Sequence, residues 1–104
     1  MLKHIVLIRA REGTTVDQVE EAFLQLGALV GVFPGLRGFS GGLNNSPEGK
    51  AQGYTHGFIM TFDDAAARDA YLPHSEHQRV ITYLRPWVQE VLVLDYEPLQ
   101  SGSE

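Results

Sequence analysis

The chain has no cysteine. Disulfides, thiolate metal centres and a cysteine nucleophile are thereby excluded. A cysteine-free chain suits a reducing compartment, and a cytoplasmic location is expected. Cations are also few, with 8 Lys plus Arg against 13 Asp plus Glu and a formal charge of −5. They form no run, so the electrostatic footprint of a nucleic-acid partner is missing. No apolar stretch approaches the roughly 20 residues of a membrane-spanning helix. The apolar stretch at Ile5-Val6-Leu7-Ile8 is too short for a signal peptide, and it runs into Arg9 and Arg11 without a small-residue cleavage site. No membrane partner is expected. The glycine-rich segment Gly38-Phe39-Ser40-Gly41-Gly42 lacks the strand-to-helix context of a phosphate loop. Ser40, Ser46 and Ser75 do not stand in a nucleophile elbow.

What is present describes an ordinary small globular domain. The 104 residues are 43% hydrophobic and 20% charged. A chain of this size buries a modest core and gains from association with a second copy. Residues 1–98 read as one domain and 99–104 as a loose tail.

Periodicity divides the domain into seven elements. Residues 2–10 read as a strand, with His4, Val6 and Ile8 on one face. Residues 16–33 read as the longest helix. Thr15 and Gln18 form a capping-box pattern, and Val16, Val19, Phe23, Leu26, Val30 and Phe33 make one apolar stripe before Pro34-Gly35. Residues 36–43 read as a glycine-rich strand, and a polar loop follows from 44 to 52. Residues 53–62 read as a strand with Tyr54, His56, Phe58, Met60 and Phe62 on one face. Asp63 or Asp64 caps a short alanine-rich helix to Tyr71, which Pro73 interrupts. Ser75 with Gln78 predicts a second capping box. The helix after it runs to about Glu90, kinked or ended near Arg85 by Pro86. The last strand is 91–97, with Val91, Val93 and Asp95 on one face and Leu92, Leu94 and Tyr96 on the other.

The order β-α-β-β-α-β is that of an α+β, ferredoxin-like split βαβ protomer with a four-stranded antiparallel sheet. Its helices cover one sheet face. Because the first and third strands are apolar on both sides, the opposite face needs a partner. Two such sheets packed face to face make a dimeric α/β barrel, so a homodimer is expected.

Four histidines, His4, His56, His74 and His77, are the chemical content of the chain. Imidazole serves general acid–base work near neutral pH, and a tyrosine hydroxyl such as that of Tyr71 can donate to a developing enolate oxygen. Asp95, on a largely apolar strand, needs a hydrogen-bond partner and could orient a histidine. The plainer readings are that His74 caps the last helix, that His4 and His56 are satisfied wall or interface histidines, and that Tyr71 anchors the core. His77 in the first turn of a helix is disfavoured as a cation, which suits a neutral base. A metal is not expected, since H-x-x-H is not the i, i+4 pair of a helical zinc site and no clear third ligand accompanies it.

These residues resemble those of the stress-responsive dimeric α/β-barrel family. The carrying segments are Lys3-His4-Ile5-Val6-Leu7, Pro34-Gly35, Gly53-Tyr54-Thr55-His56, Tyr71-Leu72-Pro73-His74-Ser75-Glu76-His77 and Asp95-Tyr96, together spanning residues 2–97. Tyr-x-x-His-x-x-His is the most specific of them. The resemblance implies a ferredoxin-like protomer whose sheet packs on that of a second subunit. Its best-defined activity is a plant cyclase's intramolecular aldol closure of a linear polyketide, without a cofactor. By that resemblance Tyr71 and His77 are the catalytic pair, and His4, His56, His74 and Asp95 line the pocket. Leu26 stands where the cyclase has a pocket tyrosine, so a less polar wall is expected there.

Two functions follow. In one, His77 takes a proton from carbon, Tyr71 stabilises the enolate, and the ligand is a small hydrophobic, aromatic or polyketide-like carbonyl compound. In the other, the protein is a non-catalytic, stress-responsive or ligand-binding dimer. Relatives within the wider barrel fold that act on quinols or haem suggest a third chemistry, for which no haem-ligand context is present.

Overall fold

The computed structural model describes residues 1–99; of the tail expected at 99–104, residues 100–104 lie outside them. The elements are β1 (Leu2–Ala10), α1 (Val16–Gly27), β2 (Leu36–Leu43), β3 (His56–Phe62), α2 (Ala65–Tyr71), α3 (Ser75–Leu84) and β4 (Val88–Tyr96). One antiparallel sheet has the order β2-β3-β1-β4. This is the ferredoxin-like arrangement, with α1 to α3 packed on one face.

The alternation in the strands places the core. Leu2, Val6 and Ile8 of β1 and Phe58, Met60 and Phe62 of β3 are buried under the helices. They meet Ala22 and Leu26 of α1, Tyr71 of α2 and Val80 of α3. Each large apolar side chain so buried contributes about 1.5–3 kcal/mol of transfer free energy. Trp87 is 1% exposed in the turn before β4 and donates from Nε1 to the Tyr83 carbonyl at 2.9 Å.

Thr15 forms the expected capping box. Its hydroxyl accepts from the Gln18 amide at 3.2 Å, and the Gln18 side chain accepts from the Thr15 amide at 2.9 Å. Asp64 caps α2, its Oδ1 accepting from the Ala67 amide at 2.9 Å.

Several boundaries differ from the periodicity. The first helix ends at Gly27 rather than 33. The stripe to Phe33 continues through turns closed by bonds such as Leu29 N to Leu26 O and Val30 N to Gly27 O. The third strand starts at His56: the Tyr54 amide closes the incoming turn on the Ala51 carbonyl, and Thr55 bonds Ile8 and Asn44 of the two neighbouring segments just ahead of the regular strand. The last helix stops at Leu84 with Arg85 as its cap, the early end that Pro86 allowed, and β4 begins at Val88 instead of 91. Ser75 is the first residue of α3 and not its cap, a role taken by His74.

The other sheet face is bare. Leu7, Ile59, Leu92, Leu94 and Tyr96 are 37%, 39%, 50%, 60% and 46% exposed. Register puts Leu94 opposite Ile5 and Leu92 opposite Leu7, so these side chains form one continuous apolar surface. No helix among the described residues is long and apolar enough to cross a membrane.

Candidate functional site

An open cavity of about 550 Å³ lies between the helix-facing side of β1, β3 and β4 and the helices α2 and α3. The edge strand β4 is its least covered wall, which leaves Val91 and Val93 half exposed although they point to the helix side. Val6, Met60, Leu26, Ile81 and Leu84 make the middle of the wall apolar. Leu26 thus supplies the apolar side expected at its position.

Four of the six expected site residues, His4, Tyr71, His77 and Asp95, line this cavity together. Strand register explains the first pairing. His4 stands directly opposite Asp95 across β1 and β4, and its Nδ1 lies 2.7 Å from Asp95 Oδ1. A carboxylate only accepts, so Nδ1 carries the proton and Nε2 holds the lone pair of the neutral ring. The second carboxylate oxygen accepts from Arg68 Nη1 of α2 at 2.9 Å. His4, Asp95 and Arg68 thereby form a chain whose side chains are 8%, 17% and 23% exposed.

The break between α2 and α3 sets the second pair. Tyr71 closes α2 and His77 sits in the first turn of α3, with ring centres 4.5 Å apart. His77 Nδ1 lies 2.7 Å from the Leu72 carbonyl oxygen, an acceptor freed where α2 ends. Nδ1 is again the protonated nitrogen, and Nε2 of the neutral ring is left as a base. Burial lowers the His77 pKa below that of free histidine, and the Leu72 carbonyl only partly offsets this. Tyr71 is 1% exposed, and its hydroxyl is buried without a hydrogen-bond partner. Burial pushes its phenol well above the ordinary tyrosine range, so the hydroxyl stays a donor.

The other two expected residues lie elsewhere. His74 does not line the cavity. Following Pro73 in an extended conformation, it turns its ring back onto α3, where Nδ1 accepts from the Glu76 amide at 3.1 Å, and packs against Phe33. His56 shares the helix-facing side of the sheet with His4 but stands at the far end of β3. It lies four residues before Met60, the residue opposite His4, or roughly 13 Å along the strand. Its Nδ1 lies 2.8 Å from Thr55 Oγ1 and its ring against Trp87, and it lines a separate cavity of about 630 Å³ beside the start of α1. Among the described residues no three His, Asp or Glu side chains are grouped to hold a metal ion.

Sequence reading missed Arg68. On a short alanine-rich helix a cation resembles a solvated surface residue. Its spacing of three from Tyr71, which puts both on one helix side, was the available signal.

Known proteins share the sequence pattern and the fold. The chain is 32% identical over 97 residues to the stress-response A/B barrel domain-containing protein HS1 of Arabidopsis thaliana, covering 93% of this chain and 89% of that one. It is 27% identical over 97 residues to the olivetolic acid cyclase of Cannabis sativa, covering 93% and 96%. Among solved structures, a dimeric ferredoxin-like protein of unknown function from Jannaschia sp. CCS1 superposes with a TM-score of 0.82 at 36% identity, covering 93% of this chain and 98% of that one. The family described as the stress responsive A/B barrel domain matches residues 2–98. With the fold, the bare sheet face and these matches in agreement, the chain belongs to the stress-responsive A/B barrel domain family.

Proposed function

We propose that this protein is a homodimeric, cofactor-independent enzyme, cyclase-like or isomerase-like, that acts on carbon next to a carbonyl in a small hydrophobic, aromatic or polyketide-like substrate. The observation that carries this reading is Tyr71, a wall residue of a largely apolar cavity whose buried hydroxyl has nothing to bond, beside an imidazole whose Nε2 is a free base. A buried hydroxyl without a partner costs about 1–3 kcal/mol, and a substrate oxygen would recover it.

In this reading the substrate carbonyl oxygen accepts from Tyr71 Oη, and His77 Nε2 removes the adjacent C–H proton. The electron pair of that bond becomes an enolate held by the phenol. The enolate then attacks a second carbonyl of the same molecule and closes a ring, or it is reprotonated elsewhere. His77 returns its proton to the resulting alkoxide or carbon. His4, oriented by Asp95, is a second proton donor or acceptor on the same cavity. Each positioned group contributes about 10²–10⁴-fold. The similarity to a polyketide cyclase supports the reaction class.

The bare apolar sheet face and the dimeric relative support the homodimer. The test is turnover of linear β-polyketones by wild type, Tyr71→Phe and His77→Ala. Both substitutions are expected to lower kcat by at least about 10²-fold. Unchanged turnover overturns the assignment. Binding without turnover in wild type leaves a non-catalytic ligand-binding dimer.

A further inference from the structure

The cavity has a second polar end. β1 and α3 run along it in the same sense, each with a histidine near its start and an arginine just past its end: His4 and Arg11, His77 and Arg85. The Arg11 amide donates to the Trp87 carbonyl at 2.8 Å, which ties the end of β1 to the turn that carries Arg85. From His77 to Arg85 the helix rises roughly 12 Å. Ile8, Ile81, Leu84, Val88 and Val91 line the cavity between the two ends.

These two arginines differ from the other cations. Lys3, Arg9, Arg37, Lys50, Arg68 and Arg79 each have a hydrogen-bonding or ion-pairing side chain, Thr61, Glu90, Asp63, Glu48, Asp95 and Glu76 respectively. Arg11 and Arg85 have no side-chain partner among the described residues. A chain with a net charge of −5 therefore leaves the two arginines that are unpaired among its described residues, both exposed, at the rim of one cavity.

We propose that the ligand of this cavity is an elongated amphiphile with an anionic group, a carboxylate or a phosphate, held by Arg11 and Arg85 about 12 Å from the group that meets Tyr71 and His77. The assignment rests on the reading of that cavity as the functional site, and it adds the chemical class of the ligand. The anionic end fixes which carbon of an otherwise featureless chain reaches His77. The intervening wall takes the apolar body.

The test compares decanoate, decyl phosphate and the uncharged decanol by calorimetry on wild type, Arg11→Gln/Arg85→Gln and His77→Ala. Wild type is expected to bind at least one of the two anions about tenfold or more tightly than decanol, with a preference that shrinks as salt is raised. The double arginine variant is expected to lose that preference and keep its affinity for decanol. His77→Ala is expected to keep it. The stronger of the two anions distinguishes a carboxylate from a phosphate ligand. Equal binding of all three probes by wild type, binding of none, or a preference that survives in the double variant overturns the proposal. An anion preference in a protein that turns over no carbonyl substrate keeps the basic end and removes only the proposed Tyr71 and His77 chemistry.

Discussion

Replacing Tyr71 by phenylalanine should make the protein more stable while removing its proposed chemistry. The ring packs against Phe33 and Phe62, with centroids 5.3 Å away in each case, and against His77 at 4.5 Å. Phenylalanine preserves all three contacts. Only the hydroxyl is lost, and that group is buried with no partner. Its burial costs about 1–3 kcal/mol in the folded state, while in the unfolded chain water satisfies it. Tyr71→Phe therefore relieves folding of roughly that cost. For a domain near 100 residues, about 1 kcal/mol corresponds to a rise of some 4–8 °C in Tm. The assay is thermal unfolding by calorimetry at one fixed protein concentration, since a dimer's Tm depends on concentration. The sign should reverse when a ligand that accepts from the phenol is present, because that ligand stabilises wild type more than the variant. A variant that melts at or below the wild-type temperature without ligand would refute the reasoning, because it would show that the hydroxyl is already satisfied.

Four further outcomes are expected. The His77 pKa is lowered chiefly by burial, so its neutral, basic form persists below pH 6.5, and the acid limb of a pH–rate profile should have its midpoint below that value. Stability moves with the same group: below about pH 6.5 the unfolded chain takes up a proton that folded His77 still refuses, so Tm should fall until the lowered pKa is reached, and His77→Gln should flatten that part of the curve. Leu94→Asp places a charge on the bare sheet face, and light scattering should then give half the wild-type mass at moderate concentration. Gly35→Ala should cost about 2 kcal/mol or more in denaturant unfolding, because φ is +86° there and a Cβ would come within 2.6 Å of Ala67 Cβ.

The sequence by itself determined the order of elements, the faces of the strands and the need for a partner. Alternation in β1 and β3 and the stripe from Val19 to Phe33 record which side chains must leave water, whereas Val16 at the head of that stripe stays 70% exposed. The sequence also supplied the reactive side chains, because imidazoles, a phenol and a carboxylate are legible by type. Boundaries were less legible. Gly27 and the residues after it keep the helical stripe in tight turns, and Trp87 reads as the buried side of a helix although it packs from a turn. The tertiary structure alone decided which groups meet. Antiparallel register set His4 opposite Asp95, and the end of α2 freed the Leu72 carbonyl that fixes the tautomer of His77. Thirteen ångströms of strand, roughly, kept His56 away from its counterpart on β1. His74 has the spacing of a site residue, yet an extended backbone after Pro73 turned it into a cap. Arg68 offers only its spacing of three from Tyr71, and the pair Arg11 and Arg85 carry no local pattern. Their roles arise from long-range packing, which brings α2 onto Asp95 and places the ends of β1 and α3 on one cavity.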